Sequence, residues 1–483
     1  MTTVRDDELR QLLRDRNPWW RSAALHRDPC AWTATDPTLR GAAAVDIDYD
    51  PDILADVAPP GLWVLRGPRR VGKSVAAKRL LARLCAHPDL HPAQIVYFSA
   101  DGFRAQDLRR AITLSRDLTI SAGNPVRIWV IDEITAVSDW VPVIKELRDN
   151  TSLADDAVVL TGSSAADLDE ARRSLGAGRT GIATPFRLLL PMTFRAFLVT
   201  SKAQVPLPDA VGPDQLLTPA ARRAVLQMEP FVDEFDLAWQ RFLECGGFPR
   251  AVGEFLRDGE ISPEFAFDLR SWLAGDVDAD GPADSVPRLI AELNRRISSP
   301  LDVRNTASAL GTTRERLRGR LARLTSTFGA FWCAQSDDHG RPVDGAQSKL
   351  YLLDPVIARL PALHDCAYSA PSMTSLTEGQ LALELARSID RIHPDRFVEQ
   401  RCVMYARTGK GNEVDFAPMP LHPGEPVTRT VPIEAKWVTN GWRSEALVLR
   451  GRYGAGVLAT KNIVELDGDV WAVPAPMVAL LLQ

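Results

Sequence analysis

Apolar runs of strand length alternate with helical patterns through the N-terminal part of the chain. Residues 62–65, 93–99, 126–131 and 157–164 are β-rich apolar runs of the kind that form buried strands. Between the first two runs, residues 74–84 carry apolar side chains at helical spacing. Strands that alternate with helices predict a parallel sheet covered on both faces. We therefore expect an α/β fold with a doubly wound sheet in this region.

Two amphipathic segments, residues 219–229 and 231–244, predict a helical region after this sheet. Thr218 is the expected N-cap of the first helix, which opens with proline at the favoured first position. Residues 201–215 and 276–286 are rich in Pro, Ala, Gly or Asp and are expected to be linkers. The helices between them are interpreted as a lid.

A second pair of helices is predicted at residues 302–310 and 314–324, with Gly311 at the turn. Thr312 or Thr313 is the expected cap of the second helix. One stripe of that helix carries leucine at Leu317, Leu321 and Leu324. Helix, turn and helix in this order are typical of a DNA-binding motif whose second helix enters the major groove.

The charge of this segment reverses that of the chain. Residues 287–323 contain nine arginines and three acids, a net charge of +6, whereas the whole chain has a net charge of −5. The arginines are Arg288, Arg295, Arg296, Arg304, Arg314, Arg316, Arg318, Arg320 and Arg323. Two β-like runs, residues 328–334 and 348–353, follow as an expected wing. The pattern predicts a winged helix that binds DNA phosphates; the alternative is a winged helix that packs against protein, with solvated arginines.

One segment fits the phosphate-binding pattern GxxxxGK[ST]. Its eight residues are Gly67, Pro68, Arg69, Arg70, Val71, Gly72, Lys73 and Ser74. The glycines let backbone N–H groups point at phosphate oxygens, the lysine reaches the β- and γ-phosphates, and the serine hydroxyl ligates Mg²⁺. Because the segment joins a predicted strand to a predicted helix, the phosphates would meet a helix N-terminus. The sequence therefore predicts a site for ATP with Mg²⁺.

Acidic residues end the strand predicted at residues 126–131. Asp132 is expected to hold Mg²⁺ beside Ser74, and Glu133 is expected to polarise the attacking water. At the end of the following strand, Thr161 or Ser163 is a candidate sensor of the γ-phosphate. The alternative is that these hydroxyls satisfy the local backbone.

Three arginines follow at Arg172, Arg173 and Arg179. One of them could act as an arginine finger on a neighbouring subunit, and Arg179 is the first candidate. The other two are expected to be surface residues.

Acids also recur at alternate positions of two β-like segments near the C-terminus. Glu413 and Asp415 share one face of the first segment, and Glu434 and Lys436 share one face of the second. Carboxylates suit Mg²⁺ or Mn²⁺, and the lysine would orient or activate a water. The pattern predicts a metal site, with an ordinary salt-bridged hairpin as the alternative.

A helix predicted at residues 376–392 would supply one more ligand to this metal. Glu384 is the first candidate, and Glu378 is the runner-up.

Composition narrows the class of protein. The 483 residues are 45% apolar and 25% charged, an ordinary globular balance whose length predicts about three domains. The six cysteines are scattered without a CxxC pair, which argues against a zinc module and a disulfide framework. The charged N-terminus and the lack of a long apolar run predict a cytoplasmic protein without a signal peptide or a membrane partner.

Further motifs accompany the phosphate loop in a fixed order. They are Asp132-Glu133-Ile134 with Trp140 and Lys145, Leu160-Thr161-Gly162-Ser163-Ser164, Gly178-Arg179, Leu190-Pro191-Met192-Thr193-Phe194 and Gly246-Gly247-Phe248-Pro249. In this series the chain resembles a family of prokaryotic AAA-type ATPases from about Asn17 onward. The resemblance implies a P-loop ATPase, then a winged helix, then a domain with a restriction-nuclease-like fold.

Within that last domain, the chain resembles the PD-(D/E)xK nuclease pattern. Asp415, Glu434 and Lys436 match its three positions. The flanking residues Gly411-Asn412 and Pro432-Ile433 also fit the local sequence pattern of the family. The implied organisation is an N-terminal segment at 1–60, an ATPase core at 61–200, a helical lid at 201–283, a winged helix at 284–368 and a nuclease-like domain at 369–483.

Two main hypotheses of function result. The first is an ATP-hydrolysing enzyme that binds DNA and cleaves it with a metal-dependent nuclease domain. The second is an ATP-controlled switch or assembly protein whose nuclease-like domain is a non-catalytic binding module. A third is a signalling ATPase with a protein partner and no role on DNA. A homo-oligomer is compatible with each, because AAA-type engines often complete their sites between subunits.

Overall fold

The structure is a computed structural model. It describes residues 4–22, 28, 30–119, 126–163, 171, 174–175, 181–182, 184–394, 396–407, 411–422 and 425–483. The chain divides into two compact units, Met1–Leu190 and Pro191–Gln483.

Among the described residues, the first unit is built on a five-stranded parallel sheet. Its strands are β1 (Gly61–Arg66), β2 (Ile95–Ser99), β3 (Ile128–Asp132), β4 (Ala157–Gly162) and β5 (Phe186–Leu188). Across the sheet they follow the order β2-β3-β4-β1-β5. The four apolar runs all form strands, and because the strands are parallel, the carboxyl ends of β1, β3 and β4 meet at one edge.

Helices cover both faces of this sheet. They are α1 (Asp6–Arg16), α2 (Cys30–Thr33), α3 (Pro37–Ala44), α4 (Lys73–Ala86), α5 (Ala105–Leu118) and α6 (Trp140–Asn150). Leu62 and Val64 of β1 lie in one core with α1, α5 and α6, whereas Trp63 and Leu65 lie in another with α4. Successive residues of a strand point to opposite faces, so this alternation confirms a doubly covered parallel sheet.

The second unit is largely helical in its first part. Its helices are α7 (Phe194–Thr200), α8 (Pro219–Met228), α9 (Val232–Cys245), α10 (Pro249–Asp258), α11 (Pro263–Asp278), α12 (Ser285–Asn294), α13 (Val303–Ala309), α14 (Arg314–Ser326), α15 (Pro355–His364), α16 (Met373–Ile392), α17 (Trp442–Glu445), α18 (Leu447–Tyr453) and α19 (Ala475–Leu482). The two helices expected from amphipathic spacing are α8 and α9. Thr218 caps α8 as predicted, since its hydroxyl accepts from the backbone N–H of Ala221 at 3.4 Å.

The helix pair predicted around Gly311 is also present. Gly311 has a φ of 62°, a left-handed conformation that glycine adopts without steric cost. Thr313, rather than Thr312, caps α14, because its hydroxyl accepts from the N–H of Arg316 at 3.2 Å. The leucines at the predicted stripe are buried, with exposed fractions of 0% for Leu317 and Leu324 and 1% for Leu321.

The strands of the second unit are β6 (Ala330–Gln335), β7 (Lys349–Leu352), β8 (Met404–Arg407), β9 (Glu413–Val414), β10 (Pro420–His422), β11 (Glu425–Arg429), β12 (Ile433–Ala435), β13 (Gly456–Thr460) and β14 (Val470–Pro474). They form sheets in the orders β7-β6-β8-β9, β12-β13-β14 and β10-β11. An antiparallel bridge between Phe416 and Ile433 joins the first two sheets. The acidic segments expected to be neighbours are therefore adjacent.

Two sequence expectations differ in detail. The linker expected at residues 276–286 is shorter, because α11 continues through Asp278 and α12 begins at Ser285. The two β-like runs pair as an antiparallel hairpin, but β6 also pairs in parallel with β8. Strands from the segments 284–368 and 369–483 thus share one sheet, and their separation into two domains stays a prediction.

No helix among the described residues combines the length and the apolar content that crossing a bilayer requires. Cys85, Cys245, Cys333, Cys366 and Cys402 are free thiols.

Candidate functional site

The phosphate loop connects β1 to α4 and depends on two glycines. Gly67 has a φ of 146°, and a Cβ there would lie 1.9 Å from the carbonyl oxygen of Leu189. Gly72 has a φ of 102° and is the N-cap of α4. A side chain at Gly67 would clash with the backbone, and one at Gly72 would be strained by the positive φ, so glycine at both positions lets the loop bend tightly and deliver Lys73 and Ser74 to the first turn of the helix.

Lys73 is folded back over the loop. Its Nζ donates to the carbonyl oxygens of Gly67 at 3.0 Å and Pro68 at 2.8 Å, and its side chain is buried. Burial lowers the pKa of Lys73 to about 8, although the charges of Glu133 and Asp132 act to raise it. That electrostatic coupling places the acidic pair close to the loop lysine.

The acidic pair is held by the end of the neighbouring strand. Thr161, the fifth residue of β4, donates its hydroxyl to Asp132 Oδ1 and accepts from the backbone N–H of Glu133 at 3.1 Å. Asp132 is the last residue of β3, and Glu133 follows in a left-handed conformation with a φ of 53°. The Thr161 hydroxyl therefore holds both acids in position, and its expected sensing of the γ-phosphate stays a prediction.

Tyr97 is a member of this site that sequence reasoning missed. Burial, followed by the charge of Asp132, raises the pKa of its phenol, so the Tyr97 side chain interacts with that carboxylate. The feature that could have identified Tyr97 is its position on β2, two residues before the carboxyl end of that strand. β2 pairs with β3, which ends in Asp132.

Glu133 lies in an environment that changes the acidity of its carboxyl group. It is partly buried, and burial raises its pKa, while the charge of Lys73 acts in the opposite direction. A carboxylate with a raised pKa accepts a proton more readily from a water than an exposed one does.

The remaining residues predicted for this site differ in burial and position. Val71 is buried, Arg69 and Arg70 are exposed, and Ser74 is the second residue of α4. Arg172, Arg173 and Arg179 lie outside the described residues, so the arginine finger stays a prediction.

The C-terminal pattern also brings its predicted residues together. Asp415 donates its backbone N–H to Glu434 Oε2 at 3.0 Å, and Asp415 Oδ2 accepts from the N–H of Ala435 at 3.0 Å. Lys436 Nζ lies 2.9 Å from Glu434 Oε1. Burial, followed by the charge of Asp415, raises the pKa of Glu434.

A second lysine, which sequence reasoning missed, lies at the centre of these acids. Lys349 of β7 is fully buried, and its Nζ lies 2.9 Å from Asp415 Oδ1, 3.2 Å from Glu378 Oε1 and 3.6 Å from Glu413 Oε2. Tyr351, on the same face of β7, donates its hydroxyl to Glu378 Oε1 at 2.7 Å. We call Lys349, Glu378, Glu413, Asp415, Glu434 and Lys436 the acidic cluster.

Glu384, the first candidate for the helix-borne ligand, has other partners. It accepts from the backbone N–H of Phe194 at 3.3 Å and from Gln380 Nε2 at 2.8 Å, and Arg387 Nε lies 3.7 Å away. Glu378 and Glu384 are six residues apart on α16, so they point about 120° apart around the helix. The runner-up, Glu378, is the glutamate that contacts the same lysine ammonium as Asp415 does.

The arginines of the basic segment divide into two groups. Six have protein partners: Arg288 with Asp284, Arg295 and Arg296 with Glu292, Arg316 and Arg320 with Asp278, and Arg323 with the carbonyl of Val277. Within the described part of the chain, no ion pair involves the side chains of Arg304, Arg314 or Arg318.

These three arginines line one open groove of about 520 Å³. Trp332, Gln347 and Ser348 line it too. One acid, Asp302, is also present, and its carboxylate caps α13 by accepting from the N–H groups of Arg304 and Asn305. We call this the arginine groove.

Residues 60–198 match the family model of an AAA domain. The match spans the phosphate loop, the acidic pair and Thr161. Residues 60–198 are an AAA-type P-loop ATPase domain.

Solved structures similar to the chain include the Walker-type ATPase of Pyrococcus abyssi, at 15% identity over 67% of this chain and 94% of that chain, with a TM-score of 0.38. The Aeropyrum pernix ORC1 protein in complex with DNA matches at 14% identity over 72% and 97%, with a TM-score of 0.28. A Thermotoga maritima RuvB matches at 16% identity over 63% and 90%, with a TM-score of 0.26. No curated protein matches the chain.

Proposed function

We propose that the chain binds ATP with Mg²⁺ at the phosphate loop and hydrolyses it. The observation that carries this proposal is the convergence of three strand ends. Lys73 follows β1, Asp132 and Glu133 end β3, and Thr161 near the end of β4 holds the acidic pair in place. A loop lysine that faces a hydrogen-bonded acidic pair is the arrangement that P-loop hydrolysis requires.

Each residue has a distinct role in this proposal. The N–H groups of residues 67–74 and the Lys73 ammonium bind the phosphates, and Ser74 and Asp132 would hold Mg²⁺. The ion would neutralise charge on the β- and γ-phosphates. Glu133 orients and deprotonates the water, and its raised pKa suits this role. Thr161 fixes the Asp132 carboxylate through its hydroxyl, and Tyr97 interacts with that carboxylate.

Glu133→Gln tests the hydrolytic role. The amide keeps the shape of the side chain but cannot accept a proton, so phosphate release should fall roughly a hundredfold or more, while ATP binding persists. Lys73→Ala is the matched control, since it should lose binding as well. Turnover by Glu133→Gln close to that of the unchanged protein would remove Glu133 from the mechanism.

We further propose that α13, α14 and the β6–β7 hairpin are a winged helix that binds DNA through the arginine groove. The guanidinium groups of Arg304, Arg314 and Arg318, for which the described part of the chain shows no ion pair, surround an open concave surface that suits phosphate oxygens. Trp332 adds an aromatic side chain beside them. The remaining arginines of this segment support the fold through Asp278, Glu292, Asp284 and Val277, so they are not counted as DNA ligands.

Two sets of variants distinguish these roles. In Arg314→Gln with Arg318→Gln, affinity for duplex DNA should fall roughly tenfold or more, and the slope of log affinity against log salt should drop by about 2. Arg316→Gln, on the same helix but paired with Asp278 at 3.4 Å, is the control and should leave that slope unchanged. A salt slope that none of the variants changes would contradict binding at the groove.

For the acidic cluster we propose a nuclease-like fold that serves as a non-catalytic module. The cluster has the D…ExK spacing, with Asp415, Glu434 and Lys436 in contact, but its residues do not fit Mg²⁺ or Mn²⁺. All four carboxylate oxygens of Asp415 and Glu434 already have protein donors. The switch hypothesis is therefore favoured over DNA cleavage. Nicking of plasmid DNA that needs Mn²⁺ and disappears in Glu434→Ala would reverse this preference.

A further inference from the structure

The acidic cluster holds four carboxylates in a small buried space. Glu378 has an exposed fraction of 3%, Glu434 of 4% and Asp415 of 6%, and Glu413 is partly buried. Carboxylates taken out of water are costly unless a cation or several hydrogen-bond donors compensate them. Such a site either recruits a metal ion or contains a cation of its own.

The position of Lys349 identifies its ammonium as the cation that compensates these carboxylates. Its ammonium lies within 3.6 Å of carboxylates from α16, from β9 and from Asp415, which follows β9. No other residue of the cluster contacts three of its acids. The side chain has an exposed fraction of 0%, so it cannot move into solvent without opening the packing around β7.

Other protein groups also contact the carboxylates of the cluster. Asp415 Oδ2 and Glu434 Oε2 accept backbone N–H groups, and Glu434 Oε1 accepts from Lys436. Glu378 Oε1 accepts from Tyr351, and Arg407 Nε lies 3.6 Å from Glu413 Oε1. Among the described residues, no group of three or more His, Cys, Asp or Glu side chains is arranged to hold a metal ion.

We propose that Lys349 is the permanent cation of the acidic cluster and occupies the place of the divalent metal that the D…ExK pattern would otherwise recruit. The lysine links β7 to Glu378 of α16, to Glu413 of β9 and to Asp415, so the cluster is a structural centre of the second unit. A second cation among these acids would meet the ammonium at close range and be repelled.

Electrostatics support a charged lysine at this position. Burial alone would lower the pKa of Lys349, but the charges of Asp415 and Glu378 outweigh burial, so its pKa lies above the ordinary value. The ammonium therefore stays protonated throughout the pH range in which the protein is handled.

Mn²⁺ binding by the nucleotide-free chain tests the proposal. Free Mn²⁺ is measured by electron paramagnetic resonance during titration of the unchanged protein and of Asp415→Asn. Equal numbers of bound ions are expected, because Asp415 is not a metal ligand. A site that is present in the unchanged protein and lost in Asp415→Asn overturns the proposal. This comparison does not depend on ATP hydrolysis, since neither protein has a change at the phosphate loop.

Lys349→Met provides an independent readout. Its unfolding midpoint should fall by roughly 10 °C, because the acids lose their cation, and adding Asp415→Asn should recover part of this loss. Lys436→Met, at the solvent-facing edge of the cluster, is the control and should cost less. If Lys349→Met does not fold, the double variant with Asp415→Asn is examined, and its recovery supports the proposal. A Lys349→Met protein as stable as the unchanged one contradicts it.

Discussion

Lys73 illustrates how burial changes the chemistry of a single residue in this protein. Its ammonium donates to two carbonyl oxygens of the phosphate loop, and burial lowers its pKa to about 8. A phosphate chain placed against it adds negative charge and favours the protonated form. Nucleotide binding and protonation of Lys73 are therefore linked.

That linkage predicts a pH dependence. Below pH 8 the lysine is already charged, so ATP binds without taking up a proton. Above pH 8 the free protein has lost that proton, and binding must recover it, so affinity should fall by up to tenfold per pH unit. Calorimetric titrations at pH 7.0 and pH 8.5, each in two buffers of different ionisation enthalpy, measure the proton uptake.

The matched control is Lys73→Arg, whose guanidinium remains charged at both pH values. Proton uptake at pH 8.5 should be absent in any residual binding by this variant. Heats at pH 8.5 that do not depend on the buffer in the unchanged protein would contradict the assigned pKa.

Single residues also show where sequence reasoning reached its limit. The phosphate loop follows from its spacing, because each position of the motif has one mechanical task. Lys349 was missed because a lysine that alternates with leucines in a strand is usually solvent-exposed. Glu378 and Glu384 both lie on a predicted helix, and periodicity alone does not say which face of that helix meets Asp415.

At the scale of elements, α14 carries two kinds of arginine. Some contact other parts of the fold, and others line the arginine groove. Arg320 is buried and pairs with Asp278, whose carboxylate lies at the end of α11. Arg318, two residues earlier, lines the groove instead. Net charge therefore overstated the DNA-binding capacity of this segment, since six of its nine arginines have protein partners.

Stability measurements should separate the two kinds of arginine. Arg320→Met should lower the free energy of unfolding by about 2 kcal/mol, because Asp278 keeps Arg316 but loses its buried partner. Arg318→Met should change it by less than about 0.5 kcal/mol. Denaturant unfolding followed by circular dichroism provides the comparison. Equal losses in the two variants would mean that Arg318 also supports the fold.

Strand pairing is the second feature that the sequence pattern predicted only in part. The apolar runs predicted β6 and β7 and their hairpin, since neighbouring strands often pair. They did not predict the parallel pairing of Ala334 with Met404 in β8, because such a contact depends on the tertiary arrangement of distant segments. That pairing brings β7, and Lys349 with it, into the sheet that contains Glu413 and that leads directly to Asp415.

At the scale of the whole molecule, the chain has an ATPase unit and a second unit with two candidate binding features. Residues 60–198 are assigned by their family model, and the strand order and the site geometry agree with this assignment. The proposed DNA groove and the proposed metal-free acidic cluster belong to the second unit and suggest a nucleotide-controlled binding protein. Control of either feature by nucleotide requires that the phosphate loop binds nucleotide.

Equilibrium binding of ATP in the presence of Mg²⁺, measured by isothermal titration calorimetry, tests this central claim most directly. We expect one site per chain in the unchanged protein and an affinity roughly a hundredfold weaker in Lys73→Ala, which loses a charged contact to the phosphates. The unfolding midpoint of the nucleotide-free variant should confirm that it is folded. Absence of ATP binding by the unchanged protein, or equal affinity in Lys73→Ala, would contradict the account.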